Sequence, residues 1–520
     1  MIFSRKQSTD QDNPPFTATA TASPSKDSSP QSAPIQLTAQ EQSQISEAFE
    51  SPTSVFKLLS TLRTRRVGLG YSIETGEEET FTWSSQRTHR QAKGPLSHRL
   101  DKDPIPLSEI EEALVAWAGV GLNGTIMADI PINGGLSGII SSQGRTIPAS
   151  SNDLSVDLFI INDAGVSLYR PISQDHAPIE IAGADDYGKV LAWYRNNRTI
   201  LSSSRPDVAW FSAPEATQNV NPMGPGQYNI NRPASTWLLP VCDIGLEWFN
   251  QLLMSYEWSG FYLMDPGTGE PAGCKEWICP GFLEVGFPIP AFDELALLLG
   301  ASQAACSVQN MRLAAEQLGI GAWPIGSYAD DLVLGAYPEI CQGLGFSFLE
   351  RDDATNPSKT LTCLGLPGIK DAVVVPSPRF PDARSAVRFV KELRYPSLSS
   401  QSSVDTSFDA ASSYNDDIRQ EITQHPRYYI SDWAEEACVA TVEYIVDKYG
   451  CCPAFVNPVR AKFSVQLHHV DQSFYNKFQT GNPTPYGLPS AITSHFATWH
   501  PNTEDPSAPS STPQTDIGDN

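Results

Sequence analysis

The stretch from Ala304 to Gly326, AACSVQNMRLAAEQLGIGAWPIG, constrains the fold of this chain more than any other. Its apolar residues recur every three to four positions, which predicts a buried helix that ends near Gly319 or Gly321. Gln309, Asn310 and Arg312 interrupt this apolar pattern. Burying polar groups costs free energy unless they are hydrogen-bonded. We therefore expect these side chains to make a local packing contact or to face a polar ligand.

Composition and charge exclude some classes of partner. The chain has a formal net charge of −24 and a sequence pI near 4.7, so it lacks the basic surplus that binds a phosphate backbone. A nucleic-acid partner is not expected. No run of eighteen apolar residues predicts a membrane helix, and the first residues lack the apolar core of a signal peptide. The nine cysteines are dispersed and odd in number, which favours reduced thiols and a cytoplasmic protein.

Changes in composition predict the domain organisation. Residues 1–50 and 501–520 are rich in Ser, Thr, Pro and Gln, which is typical of disorder. Residues 401–416 have the same character and predict a linker between a body at 51–400 and a C-terminal extension at 417–500. Within the body, residues 204–295 are dense in Pro, Gly, Trp and Tyr, and we interpret them as an insertion.

Local patterns predict several further elements. A helix over 54–66 ends on Arg63, Arg65 and Arg66; these cations suit the helix dipole, but they are also suited to hold an anion such as a phosphate. Ser108 and Glu111 form a capping box at the start of another helix. Further predicted elements are strands at Val156–Ile161, Phe346–Leu349 and Ala372–Val375, and helices at Asp382–Leu393 and Asp432–Tyr449, the last with Asp432 and Glu435 as its capping pair and Gly450 as its stop.

Four of the eight histidines lie near the C-terminal end: His468, His469, His495 and His500. Metal coordination is one explanation for such a group. However, adjacent residues of a strand point to opposite faces, and no His-x3-His or His-x-His pair is present. The sequence therefore favours surface or interface histidines and predicts no metal site.

Three separated motifs occur in one order. They are an arginine pair after a short helix (Arg65, Arg66), a Pro-x-Ser-Ser-Asn loop before a strand (Pro148, Ser150, Ser151, Asn152), and a Gln-Asn helix that runs into a glycine-containing loop (Gln309, Asn310, Pro324, Gly326). Together they resemble the flavin-dependent nitroreductase family. The resemblance implies an α+β fold with a mostly antiparallel sheet flanked by helices, and a homodimer with FMN at its interface.

The resemblance also implies roles for these residues. Arg65 and Arg66 would bind the FMN phosphate or ribityl chain. The Pro148, Ser150, Ser151 and Asn152 loop would approach the flavin ring from the partner subunit. Gln309 and Asn310 would organise the site, and the backbone from Trp323 to Gly326, with Pro324, would lie near N5. The implied activity is a ping-pong transfer of electrons from NAD(P)H to a small organic acceptor, with no catalytic side chain assigned.

The chain departs from the family pattern after the arginine pair. Val67 and Leu69 occupy positions where the family has a serine and a basic residue. This departure supports an alternative hypothesis, a flavin- or ligand-binding scaffold that has lost redox turnover. A third reading takes FMN itself or a natural product as the substrate.

Overall fold

The computed structural model describes residues 37–71, 81–82, 88–89, 97–98, 100, 103–125, 143–149, 155–170, 181–206, 208, 230–338, 343–350, 361–395, 417, 429–478, 488–503 and 506. The described strands are β1 (Phe81–Thr82), β2 (Thr88–His89), β3 (Leu122–Thr125), β4 (Gln143–Arg145), β5 (Val156–Asn162), β6 (Gly165–Tyr169), β7 (Arg198–Ser202), β8 (Thr236–Asp243), β9 (Phe261–Met264), β10 (Val285–Pro288), β11 (Gly321–Ile325), β12 (Ser347–Glu350), β13 (Leu361–Leu366), β14 (Lys370–Asp371), β15 (Val459–Arg460) and β16 (Ser464–His468).

The described helices are α1 (Ala39–Glu50), α2 (Val55–Thr61), α3 (Glu109–Val120), α4 (Lys189–Asn196), α5 (Ile244–Met254), α6 (Ile289–Leu318), α7 (Asp330–Leu334), α8 (Ala383–Arg394), α9 (Asp432–Tyr449), α10 (Gln472–Phe478), α11 (Ser490–Thr493) and α12 (His495–Trp499). No described helix is both long and apolar enough to cross a membrane. The predicted α+β class is confirmed.

A seven-stranded sheet forms the centre of the molecule. Its strand order is β11-β16-β8-β5-β6-β7, with β15 also paired to β8, and each of these pairings is antiparallel. The segment interpreted as an insertion, 204–295, supplies β8. The segment interpreted as a C-terminal extension, 417–500, supplies β15 and β16. Both segments therefore contribute interior strands to the same sheet, while the proposed domain boundaries stay predictions.

The sheet separates two apolar layers because alternate side chains of a strand point to opposite faces. Leu158 and Leu238 pack on one face with α3, α5 and α6, whereas Phe159 and Leu239 pack on the other with α7 and the three-stranded sheet β12-β13-β14. The long helix α6 contacts α2, α3, α5, α11 and several strands of the central sheet. It is the element around which the candidate site is built.

The predicted central helix is confirmed and extends further than the sequence pattern suggested. α6 begins at Ile289, with Pro290 in its first turn, where the missing N–H of proline costs nothing. It ends at Leu318, where Gly319 adopts φ 80° and its N–H bonds the Ala315 and Glu316 carbonyls. The following residues were expected to form a loop, but Gly321–Ile325 pairs with β16 as strand β11.

Four other local predictions were wrong in detail. Residues 39–50 are helical rather than disordered, because Thr38 and Glu41 form a capping box. The helix predicted over 54–66 ends at Thr61, so the three arginines lie beyond it. Ala372–Val375 forms only an isolated bridge, from Val375 to Cys452. The N-cap of α9 is Ser431, whose side chain accepts from the Ala434 N–H.

Candidate functional site

The two amides of α6 both have local partners. Asn310 is half-buried, and its Nδ2 donates to the Thr146 carbonyl at 2.7 Å. Gln309 Oε1 accepts from the Arg312 guanidinium at 3.0 Å. Arg312 Nε is buried and has no hydrogen-bond partner within the described part of the chain. Burial lowers the pKa of Arg312, partly offset by the negative charge of Glu316. The two amides are therefore used in local contacts, whereas the Arg312 Nε–H is a donor that no described group accepts.

Arg65 is buried and already paired. Its guanidinium lies 2.6 Å from Glu316 Oε2 on α6, and the two side chains are 6% and 3% exposed. Arg66 is exposed at the surface, and its guanidinium carbon lies 5.2 Å from the centroid of the Trp323 ring. The predicted cofactor-binding pair is thus divided between an internal ion pair and an outward-facing cation.

The residues after the arginine pair are held by strand-like contacts. The Leu69 N–H donates to the His469 carbonyl at 3.0 Å, and the Asp471 N–H donates to the Val67 carbonyl at 3.2 Å. Val67 and Leu69 are both buried. The Leu69 amide is therefore committed to the backbone of the C-terminal segment. It does not replace the phosphate contacts that a serine and a basic side chain would make.

Of the remaining predicted site residues, the structure describes Pro148, Pro324 and Gly326. Pro148 is exposed, in the loop that Asn310 fixes through Thr146. Ser150, Ser151 and Asn152 lie outside the described residues. Pro324 and Gly326 are half-buried at the end of β11, and Pro324 pairs with Val465.

A second group of polar side chains meets at the start of α3. Glu111, His469, His495 and His500 each present a donor atom, and the four atoms lie within 4.8 Å of one another. The Nε2 atoms of His469, His495 and His500 lie 3.3, 2.9 and 3.0 Å from Glu111 Oε1. This group is called the His–Glu cluster below.

The cluster is buried, and its orientation is fixed from outside. Glu111 is in the first turn of α3, where its Oε2 accepts from the Ser108 N–H at 2.5 Å as part of the capping box. His469 Nδ1 lies 2.9 Å from the Ile105 carbonyl, and His495 Nδ1 lies 2.7 Å from the Leu318 carbonyl. Three of the four side chains are fully buried and His500 is 13% exposed.

Electrostatics in the cluster follow from burial and contact. Burial acts to raise the pKa of Glu111, but in the absence of a metal ion, hydrogen bonds from protonated Nε2 atoms of the three neighbouring imidazoles act more strongly and hold it well below its usual value. Burial also lowers the pKa of His469, against the opposing effect of the Glu111 carboxylate. The carboxylate is therefore ionised at neutral pH, and the His469 imidazole favours its neutral form.

The sequence-based expectation of surface or interface histidines is wrong for three of the four. His468, His469 and His495 are each at most 2% exposed. The opposite-face argument is nevertheless correct, since His468 packs between Gly68 and Gly321, away from Glu111. Glu111 was recognised only as a cap. Only its Oε2 is used in capping. Glu111 and His500 lie 389 positions apart in the sequence, so no local pattern contains both.

The eight described cysteines form no disulfide with one another. Six of them are buried, and burial raises the pKa of Cys242 to about 12. Such buried thiols are unreactive. In comparisons with known proteins, no family model and no curated protein matches this chain.

Proposed function

We propose that this chain is an FMN-dependent oxidoreductase of the nitroreductase type, with a nitroreductase-like fold. The observation that carries the proposal is that two distant motifs contact α6, the helix that carries the third. Glu316 of α6 pairs with Arg65, Asn310 holds the loop that contains Pro148, and β11 follows α6 directly. The same three segments carry the flavin contacts that the resemblance implies, with the Pro148 loop of each chain serving the site of its partner in the proposed dimer.

The described residues fit FMN at some positions and not at others. Arg66 and Gln309 are accessible, and the unpartnered Nε of Arg312 offers a donor to an anionic or polar ligand. Arg65 does not fit a direct phosphate contact, because Glu316 already neutralises it. We therefore assign Arg65 to support of the Arg66 turn, and Arg66 to the ligand.

When bound, FMN would supply the hydride and electron transfer. The chain's own residues would bind and orient it, with Arg66 held over Trp323 and the β11 end, at Pro324 and Gly326, near the ring edge. NAD(P)H and an organic acceptor would use the same cleft in turn. A cytoplasmic location stays a prediction.

A homodimer forms part of this proposal. α2 exposes Val55, Phe56 and Leu59, of which Phe56 is 81% exposed, and it contacts α6, where Leu298 is 59% exposed. Several large, exposed apolar side chains on two helices that contact each other are typical of a protein interface. Phe56→Glu with Leu298→Glu should convert a dimer to a monomer in sedimentation analysis. A wild-type monomer at tens of micromolar would contradict the dimer.

The absorbance spectrum of tag-free purified protein tests flavin binding. We expect flavin absorbance, with FMN identified by mass after denaturation, and bleaching on addition of NADH or NADPH. A colourless protein that also fails to bind added FMN would refute the proposal.

A matched pair of variants tests the role of Arg66. Arg66→Ala should weaken FMN binding about 10-fold to 100-fold, the effect of one charge-assisted hydrogen bond of about 1.5–3 kcal/mol. Arg63→Ala is the control, because Arg63 is exposed and bonds the Ser60 and Leu62 carbonyls of its own turn. Equal FMN affinity in both variants would remove Arg66 from the site.

The alternative, a flavin- or ligand-binding scaffold without turnover, is favoured by one observation. The Arg65–Glu316 pair and the committed Leu69 amide leave fewer anion contacts than the family pattern supplies. Protein that binds FMN tightly, but whose flavin neither nicotinamide reduces, would establish this alternative over the oxidoreductase.

A further inference from the structure

We propose that Glu111, His469, His495 and His500 bind one divalent transition-metal ion, most suitably Zn²⁺, which fastens the C-terminal residues to the core. The four donors are one carboxylate oxygen and three imidazole nitrogens, a ligand set suited to zinc. This inference requires no flavin and stands apart from the proposed function.

The distances suit a tetrahedral ion. Zinc bonds to imidazole and carboxylate ligands are about 2.0–2.1 Å long, which places the ligand atoms of a tetrahedron about 3.3 Å apart. The three Nε2 atoms lie 2.9 to 3.3 Å from Glu111 Oε1. All four atoms lie within 4.8 Å of one another, so the widest pair would close by up to about 1.5 Å on binding the ion, which requires rotation of the histidine side chains.

The hydrogen bonds at the far side of two rings decide their tautomers. A carbonyl oxygen only accepts, so Nδ1 of His469 carries a proton toward Ile105, and Nδ1 of His495 carries one toward Leu318. In the neutral rings, Nε2 is then a lone pair directed at the cluster. Such backbone contacts behind a ligating histidine are the usual support of a metal site.

Without a cation, these lone pairs face a carboxylate oxygen. His495 Nε2 is buried 2.9 Å from Glu111 Oε1, yet it has no hydrogen-bond partner among the residues described. Protonating all three rings would place three positive charges around one carboxylate in a buried space. A single divalent ion satisfies all four donors, and this unsatisfied nitrogen is the independent sign of a ligand.

The site would join elements that are distant in sequence. Glu111 belongs to α3, His469 follows β16, and His495 and His500 begin and follow α12. α11 and α12 span only four and five residues, too short to be stable helices alone. Because all four tetrahedral positions are taken by protein, the ion would be structural rather than catalytic.

Zinc titration of the full-length, tag-free chain tests the proposal. After dialysis against chelator, we expect one Zn²⁺ per chain to bind with a dissociation constant below 1 μM (order of magnitude for a structural site) and to raise the thermal midpoint by several degrees. A folded chain that binds no zinc at 100 μM free metal, well above that range, would overturn the site.

Variants separate the cluster from the rest of the protein. His500→Ala is the first choice, because this side chain is the least buried of the four; it should weaken zinc binding at least about tenfold and abolish the zinc-dependent thermal shift. His98→Gln is the control, since it removes another buried histidine–carboxylate contact, with Asp471 at 2.7 Å, outside the cluster. Zinc affinity equal to wild type in His500→Ala, with a native circular dichroism spectrum, would refute the assignment.

Glu111→Gln provides a second variant with little change of shape. The Gln Oε1 can still accept from the Ser108 N–H, so the cap of α3 is kept while the charge is lost. We expect weaker zinc binding with normal helix content. Unchanged zinc affinity in this variant would also contradict the proposed ligand set.

Discussion

Replacing Arg65 by methionine tests whether this arginine is a structural partner of Glu316. The two charge centres are about 4 Å apart, which at an effective dielectric constant of about 20 corresponds to about 4 kcal/mol of attraction. Arg65→Met removes this attraction and leaves the buried Glu316 carboxylate, 3% exposed, without its ion-pair partner, with Arg312 remaining as a nearby cation. We therefore expect a loss of about 3–5 kcal/mol in the free energy of unfolding.

The double variant makes this prediction sharper. Arg65→Met with Glu316→Met removes both charges and fills similar volume with apolar atoms, so it should be more stable than either single variant. Urea unfolding followed by tryptophan fluorescence and circular dichroism gives the free energies. Arg63→Met, an exposed arginine two residues away, should change stability by less than about 0.5 kcal/mol.

The outcome also bears on the flavin site. If Arg65 serves Glu316, the loss in Arg65→Met is the same with and without added FMN. A loss below about 1 kcal/mol, or a double variant that is less stable than both singles, would refute the ion-pair reasoning. A loss that grows when FMN is added would show that FMN binding depends on Arg65, either directly or through the Arg66 turn that it supports.

Two further predictions concern a close backbone contact and a buried carboxylate. Gly319→Ala should destabilise the protein by about 2 kcal/mol more than Gly450→Ala in urea unfolding. Both glycines cap helices at φ near 80°, but a Cβ added at position 319 would lie 2.1 Å from the Ala491 carbonyl oxygen, whereas the space at position 450 is open. Equal losses of stability in the two variants would contradict this reasoning. Asp265→Asn should lower stability by about 2 kcal/mol at neutral pH. Burial acts to raise the pKa of the Asp265 carboxyl, but its hydrogen bonds, of which that from Lys448 is the strongest, outweigh burial and lower the pKa below its usual value. The stability difference between wild type and Asp265→Asn should therefore persist above pH 4 and shrink as the pH falls below it. A stability difference that does not change with pH would contradict the lowered pKa.

Local patterns predicted elements whose signals lie within one short window. The start of α3 follows from Ser108 and Glu111, and the end of α9 from Gly450, because a cap needs only neighbouring residues. The prediction of Asp432 as the N-cap is wrong by one position, because the N-cap of α9 is Ser431. Glu435 instead pairs with Arg388 and Lys391 of α8, a tertiary contact that no window around it contains.

The candidate sites could be predicted only in part. The three motifs that resemble the nitroreductase pattern are visible in the sequence because each is a short string, and the structure brings two of them to α6 through Asn310 and Glu316. Arg65 and Glu316 lie 251 positions apart in the sequence, so no local pattern predicts their ion pair. The sequence does not predict the His–Glu cluster for the same reason, because Glu111 and the three histidines come together only through the packing of the C-terminal segment.

The position of β16 in the sheet has a consequence for synthesis of the protein. β16 lies between β11 and β8, although both neighbours are made more than one hundred residues earlier. Until residues 464–468 leave the ribosome, the facing edges of β8 and β11 lack the strand that joins them, and unpaired edges promote aggregation. Nascent chains that end before β16 should therefore be protease-sensitive, and the central sheet should close only after residues 464–468 have emerged.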